Sequence, residues 1–290
     1  MSEGRMSIVA SEWRPAGFDL GGETVFAVGD VHGCADELKA LLDAIAATAT
    51  GPGPRRLVYL GDMIDRGPDN LGALTLWAEG PAARRVDHID RLMGNHEQVL
   101  LLAMAGGEHA PKAKTMWLSA AMGGGQVLRE MCGRTGERAD RPSARLFAAA
   151  LGDEVYRLFT TMGSHVTVGN ALFVHGGLDP RIDADELLSR PWTAFTDARW
   201  AWVHGEFLQW QGGFGGRLVV HGHTPPHMHV ELTGQSDPHL LMFDRLGLDG
   251  GSSRTGYVTG AQIETGRYRI LRAGTLLPGA TPPGRLAAAS

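Results

Sequence analysis

The amino-acid sequence predicts a layered α/β fold, and three observations carry that prediction. Short apolar runs rich in β-branched residues recur along the chain. Each ends at a glycine beside an Asp, Asn or His, and helical patterns follow the first two. Runs of this length and content read as strands.

In chain order, Val25-Phe26-Ala27-Val28 runs into Gly29-Asp30-Val31-His32-Gly33. Asp36 is placed to cap a helix carrying Leu38, Leu41, Leu42 and Ile45 on one face. Leu57-Val58-Tyr59-Leu60 runs into Gly61-Asp62, and Asp69 or Asn70 starts a second helix through Leu71, Leu74 and Trp77. Ile89 to Met93 leads to Gly94-Asn95-His96-Glu97. Asp30 and Asp62 are 32 residues apart, and Asp62 and Asn95 are 33 apart. A βαβ crossover takes roughly 30 residues or more. In such sheets the carboxyl ends of the strands face one crevice, so polar residues there converge.

From about 98 to 164 the strand signal stops, and Ala, Leu, Met and Arg predict a helical insertion with a flexible break at Gly123-Gly124-Gly125. Two further strand ends follow, Leu172-Phe173-Val174 before His175-Gly176-Gly177 and Leu218-Val219-Val220 before His221-Gly222-His223. Beyond them, Met228 to Leu232, Leu241 to Leu248, Gly256 to Ile263 and Tyr268 to Leu271 read as strands of an antiparallel meander. His227 and His229 would then share one face of a strand leaving the site. A single domain over 1–272 and a disordered tail over 273–290 complete the expected organisation.

Composition narrows the function. The 290 residues are 43% hydrophobic and carry a net charge of -5, which supports a globular core and argues against a nucleic-acid partner. Two cysteines cannot frame a disulfide scaffold, and no apolar run approaches the roughly 18 residues of a membrane span, so the expected location is the cytoplasm, away from membranes. Cys34 reads as a small packing residue rather than a redox switch. Most tryptophans, among them Trp117, Trp192, Trp200, Trp202 and Trp210, read as packing residues rather than groove lining.

Asp30, His32, Asp62, Asn95, His175 and His223 form an oxygen and nitrogen donor set without a thiolate, which suits divalent Mn, Fe or Zn. Six donors are too many for one catalytic zinc and suit two ions if a carboxylate bridges them. Asp62, in the middle of the set, is the natural bridge. Two such ions can generate hydroxide from water and clamp a phosphoryl group.

The ordered blocks Gly-Asp-Val-His-Gly at 29–33, Gly-Asp-Met-Ile-Asp-Arg-Gly at 61–67, Gly-Asn-His-Glu at 94–97, Val-His-Gly-Gly at 174–177 and Gly-His-Thr-Pro at 222–225 resemble the signature of the calcineurin-like metallophosphoesterases. More narrowly, they resemble the phosphoprotein phosphatase family in its bacterial serine/threonine phosphatase branch. The resemblance implies the metallophosphoesterase fold, with central mixed β-sheets flanked by helices. It implies two divalent ions, Mn²⁺ in the first place and Fe or Zn as alternatives. Asp30, His32 and Asp62 would hold one, and Asp62, Asn95, His175 and His223 the other. Arg66 and Asn95 would bind the substrate phosphate. His96 would be the general acid, oriented by Asp65.

One block departs from the family. In Trp202-Val203-His204-Gly205-Glu206, His204 stands where the family usually has a phosphate-binding arginine. The second phosphate contact then falls to His204, or to Arg199 upstream. The resemblance implies a phosphomonoesterase acting on phosphoserine or phosphothreonine in proteins by direct attack of a metal-bridging hydroxide. The alternative is a small phosphorylated substrate, as in symmetrical cleavage of diadenosine tetraphosphate. A weakly active phosphate-binding module is the third reading, motivated by His204.

Overall fold

A computed structural model describes residues 5–80 and 85–276. Strand β1 (Arg5–Ala10) and the short β2 (Arg14–Pro15) open the chain, followed by β3 (Thr24–Val28), α1 (Ala35–Ala47), β4 (Arg55–Tyr59), α2 (Asn70–Glu79) and β5 (His88–Arg91). The strands β3, β4 and β5 pair in parallel, as the βαβ spacing predicts. Every residue of β3 is buried, because the sheet is covered on both faces; its sequence therefore does not alternate. Leu38, Leu41, Leu42 and Ile45 form the buried stripe of α1. Asp36 does not cap that helix: it lies in the first turn, and the N-cap position is Cys34, which is buried. Asp69 caps α2 through a 2.9 Å bond from the Gly72 amide.

Next come α3 (Asn95–Ala105), α4 (Ala110–Trp117), α5 (Gly125–Thr135), α6 (Ala144–Leu151) and α7 (Asp153–Thr160), a run of helices without a strand. The second sheet is built from β6 (His165–Val168), β7 (Ala171–Val174), β8 (Leu218–His221) and β9 (Arg245–Gly247), with α8 (Ala184–Ser189) and α9 (Gly205–Leu208) between β7 and β8. Its order is β6-β7-β8-β9, and β7, β8 and β9 run parallel. Val25 and Ala27 from β3 pack with Ala171, Phe173, Leu218 and Val220 in one buried cluster between the sheets. Phe26 and Val28 belong to the second cluster, with the buried stripe of α1. Period-2 alternation thus assigns neighbouring residues to two cores.

After β8 the chain departs from the expected meander. Residues 226–233 form α10 (Pro226–Thr233), not a strand, so His227 and His229 sit on a helix. Pro226 in the first turn has the fixed φ that suits a helix start, and Gly234 at φ 72° ends it in the left-handed region. β9 is three residues long and joins the second sheet in parallel. Then α11 (Ser252–Thr255) precedes the hairpin β10 (Tyr257–Glu264) and β11 (Arg267–Leu276), which is antiparallel as expected. The first sheet has the order β1-β11-β10-β3-β4-β5, with β2 paired to β11. Residues 273–276, expected in a disordered tail, continue β11 and pair with β1, because an N-terminal strand supplies their hydrogen bonds. The remainder of that expected tail, 277–290, lies outside the described residues. Among the described residues, no helix is long and apolar enough to cross a membrane.

Candidate metal centre

The parallel strands of both sheets deliver their carboxyl ends to one place. Asp30 and His32 follow β3, Asp62 follows β4, and Asn95 opens α3 after β5. His175 follows β7, and His223 follows β8. Several of these residues adopt left-handed backbone without being glycine: His32 (φ 46°), Asp62 (φ 53°), Asp65 (φ 76°), Arg66 (φ 67°) and His223 (φ 68°). Such conformations cost roughly 1–3 kcal/mol each and persist where surrounding structure over-determines them. Here they turn side chains of consecutive loops toward a shared centre.

Asp62 is that centre. His32 Nε2 lies 3.6 Å from its Oδ2 and His96 Nε2 lies 3.8 Å from the same oxygen, while His175 Nε2 lies 3.4 Å from Oδ1. Two triads, His32-Asp62-His96 and Asp62-His175-His223, each bring three potential donor atoms within 4.8 Å of one another, and both contain Asp62. Asn95 Oδ1 lies 3.1 Å from His175 Nε2 and 2.9 Å from His223 Nδ1. Asp30 joins through its carboxylate, which accepts the His223 amide at 3.0 and 3.1 Å.

The imidazoles are oriented from behind. His32 Nδ1 sits 2.8 Å from the Ile64 carbonyl, and His175 Nδ1 sits 2.9 Å from the Leu60 carbonyl. Both Nδ1 atoms must therefore donate; His32 keeps a lone pair on Nε2, while His175 Nε2 carries a proton toward Asp62 that a bound cation would displace. Such an Nδ1 bond is the support a metal-binding histidine requires.

Burial holds His32 down to about 4, with Arg66 adding to the effect, so its ring is neutral at pH 7. Burial also pushes His223 well below its ordinary value, with His175 next in effect. Burial opposes charge on Asp62, yet His175, His96 and His32 hold its carboxyl well below the usual range. His175 is raised to about 10: burial opposes its charge, but Asp62, Asp30 and Glu97 outweigh it. This site favours positive charge among its carboxylates. Neutral rings at His32 and His223, a His175 charged by its carboxylate neighbours, and no thiolate fit one or two hard or borderline divalent cations that would take the place of that proton.

Beside this cluster, His96 Nδ1 lies 2.7 Å from Asp65 Oδ2, both side chains being buried. Arg66 Nη1 points at His32 Nε2 at 2.9 Å, and its Nε and Nη2 donate to the Ala121 carbonyl at 3.4 and 3.3 Å. The expected flexible break at 123–125 is instead a packed turn. Gly123 has φ 83°, and a methyl group there would stand 2.9 Å from the Arg66 backbone nitrogen. Only glycine allows that approach.

Two expectations for phosphate contacts shift. His204 stacks on His223, with ring centroids 4.1 Å apart and planes 18° apart, and its Nε2 lies 3.1 Å from His223 Nε2. Arg199 is occupied elsewhere: its guanidinium pairs with Asp179 at 2.9 Å and with Glu206 at 2.8 Å, so no described contact brings it to the cluster. Two flanking carboxylates outcompete a distant site for a guanidinium.

Three contributors stand outside the expected set of site residues. Glu97 accepts the amides of Asp62, Met63 and Gly94 at 2.8, 2.8 and 3.0 Å, clamping the Asp62 loop to the start of α3. Its position in the Gly-Asn-His-Glu block was the available signal. Asp249 is buried and raised to about 6 by burial, and it accepts the Gly251 amide at 2.7 Å. Trp117, on α4 of the helical run, donates Nε1–H to Asp65. Nothing in sequence spacing links residues 65 and 117. Of the other tryptophans read as packing residues, Trp200 is buried, whereas Trp210 is 43% exposed.

A two-sheet α/β fold whose strand ends gather buried Asp, Asn and His residues around one shared carboxylate defines a metal-centre protein of the phosphoesterase class. Residues 23–239 match the family model for calcineurin-like phosphoesterases, and the chain belongs to that family. It is 32% identical over 167 residues to the symmetrical bis(5'-nucleosyl)-tetraphosphatase of Methylococcus capsulatus, covering 57% of this chain and 47% of that one. It is 34% identical over 116 residues to serine/threonine-protein phosphatase 1 of Salmonella typhimurium, covering 40% of this chain and 45% of that one. The chain thus spans about half the length of these curated relatives. In fold it is similar to a cold-active protein-tyrosine phosphatase of a psychrophilic Shewanella species, with TM-score 0.51 and 18% identity, covering 88% of this chain and 80% of that one.

Proposed function

We propose that this protein is a binuclear metal-dependent phosphoesterase that hydrolyses phosphoserine and phosphothreonine monoesters in proteins. The observation that carries the reading is the Asp62 carboxylate, with His32 Nε2 3.6 Å from Oδ2 and His175 Nε2 3.4 Å from Oδ1, and the His96–Asp65 pair beside it. Two divalent ions, manganese first among those suited to this donor set, would supply an activated water and neutralise phosphoryl charge. Asp30, His32 and Asp62 would hold one, and Asp62, Asn95, His175 and His223 the other. Arg66 is the guanidinium placed to grip two phosphoryl oxygens once it leaves His32 Nε2, since its fork matches that geometry.

Burial holds His96 well below its ordinary pKa, so its Nε2 would gain a proton only beside the phosphoryl dianion and would pass it to the departing alkoxide, while Asp65 takes the Nδ1 hydrogen bond and fixes the ring. A serine alkoxide leaves poorly, so this proton matters most for such substrates. His204, stacked on His223 with its Nε2 3.1 Å from His223 Nε2, would orient that ring.

A second reading is symmetrical hydrolysis of a dinucleoside tetraphosphate, favoured by the Methylococcus relative, which matches the larger share of this chain. Rates on phosphoserine peptides and on diadenosine tetraphosphate, measured in Mn²⁺ after chelator treatment, test both. Turnover of the dinucleotide far above that of any phosphopeptide would transfer the assignment. Inactivity on both and on p-nitrophenyl phosphate would leave a phosphate-binding module.

A further inference from the structure

Beside the strand end that leads to His223, residues of β8, β9, α9, α10 and the loop between α10 and β9 line a cavity of about 160 Å³, and four features of its wall bear on what it could hold. First, the lining contains Arg245, His221, His229 and three glutamines but no carboxylate. Second, Arg245 is a buried cation held without an ion pair. Its Nη1 donates to the carbonyls of Phe207 (2.7 Å) and Trp210. Its guanidinium carbon lies 5.5, 5.9 and 5.6 Å from the rings of Phe207, Phe214 and Phe243. Nε and Nη2 make no hydrogen bond to a described residue, so three N–H hydrogens on two nitrogens remain for a ligand.

Third, His221 is 1% exposed, and its Nδ1 lies 3.0 Å from the Gly222 carbonyl, to which it must donate. Its Nε2 is therefore a lone-pair acceptor, buried and without a partner. A buried acceptor is ordinarily satisfied, and one facing a cavity calls for a donor from the occupant. Fourth, Phe243 sits at φ 47° in the two-residue turn between Met242 and Arg245, yet is 46% exposed at the rim. Asp244 shares that left-handed backbone at φ 61°, as a tight two-residue turn requires, and the turn holds the Phe243 ring at the cavity mouth. Leu208, Leu232 and Leu240 supply an apolar wall.

We propose that this cavity is a binding site for a small organic carboxylate with an apolar body and one hydroxyl or amino donor. The carboxylate would meet the Nε and Nη2 hydrogens of Arg245, since a charge-assisted bond is the strongest available there. The donor would fill His221 Nε2, and the body would lie between Phe243 and the leucines. This ligand class follows from the wall itself and does not depend on the reaction at the metal centre.

Calorimetric titration of the full chain with three probes tests it. 4-Hydroxybenzoate carries all three features, benzoate lacks the donor, and 4-hydroxybenzamide lacks the charge. Binding of 4-hydroxybenzoate is expected, with benzoate weaker by about fivefold, the worth of one hydrogen bond. 4-Hydroxybenzamide should be weaker by about tenfold or more, because its bond to Arg245 is not charge-assisted. Arg245→Met should weaken 4-hydroxybenzoate by at least about tenfold. Phe243→Ser, a rim change, keeps the test valid if Arg245→Met does not fold, and should weaken binding by about threefold through lost apolar contact. Affinity should be unchanged in Asp62→Asn. No binding up to about 10 mM, equal affinity for all three probes, or loss of binding in Asp62→Asn would each overturn the proposal, the last by placing the probe on the metal centre.

Discussion

Trp117 Nε1 donates to both carboxylate oxygens of Asp65, at 3.0 and 3.1 Å, in a fully buried contact 52 residues apart in sequence. Asp65 in turn holds His96 Nδ1 at 2.7 Å. The helical run therefore reaches the proposed general acid through one carboxylate. Trp117→Phe keeps the ring and removes the donor, leaving a buried carboxylate short of one bond; that costs about 1–3 kcal/mol. If part of this loss reaches His96, phosphoserine peptides should slow by about threefold to tenfold while p-nitrophenyl phosphate is nearly unaffected. Equal slowing of both substrates would show that Trp117 acts on the fold alone.

His96→Asn should separate the same substrates more sharply. General acid catalysis contributes about 10²–10⁴-fold, and a good leaving group needs little of it. Kinetics on the two substrate types at saturating Mn²⁺ give the ratio directly, and a ratio unchanged from wild type removes His96 from the role.

Asp62→Asn tests the shared carboxylate. With His32 and His175 set against the two oxygens of one carboxylate, its neutralisation should lower bound metal from the proposed two ions per chain to one or none. Activity should fall by at least about 10³-fold, as expected when both the nucleophile and its clamp are lost. Elemental analysis after gel filtration counts the metal. A variant retaining two ions and full activity would rule out the bridge.

Gly123→Ala probes the turn against Arg66. The left-handed backbone at φ 83° and the 2.9 Å approach to the Arg66 nitrogen both oppose a methyl group. A loss of about 1–3 kcal/mol is expected, visible as a lower urea midpoint. Because the same turn carries the Ala121 carbonyl that holds Arg66, KM should rise as well.

Acid stability should depend on Asp179. Bonds from Arg181, with Arg199 nearby, depress its carboxyl to about 2 although burial opposes this. A depressed carboxylate stabilises the fold above its unfolded value near 4, and that contribution fades as pH falls toward 2. Asp179→Asn should therefore cost about 1–2 kcal/mol at pH 6, a discounted figure because Arg181 is largely exposed to solvent. The gap between variant and wild type should close between pH 4 and 2. Urea midpoints across that range decide it, and a constant gap would mean that Asp179 acts by shape, not charge.

Much of this protein is legible in its amino-acid order. The strand ends at Asp30, Asp62, Asn95, His175 and His223 follow from local physics: apolar β-rich runs make buried strands, and glycines mark where they turn. Parallel pairing then gathers strand ends at one crevice, so order and spacing point to the side chains that meet around Asp62. The helical character of the stretch after Asn95 likewise follows from local composition.

Other features belong to the tertiary structure, because they join residues whose separation carries no local signal. Trp117 meets Asp65, Ala121 meets Arg66, and Arg199 turns to Asp179 and Glu206 only because distant elements pack together. The segment 226–233 could read as a strand from its apolar residues, and its helix depends on Pro226 and Gly234 at the ends. Residues 273–276 look like tail until β1 arrives beside them. Local sequence determines which side chains stand at strand ends and turns, whereas burial and long-range hydrogen bonding decide which partner each of them finds.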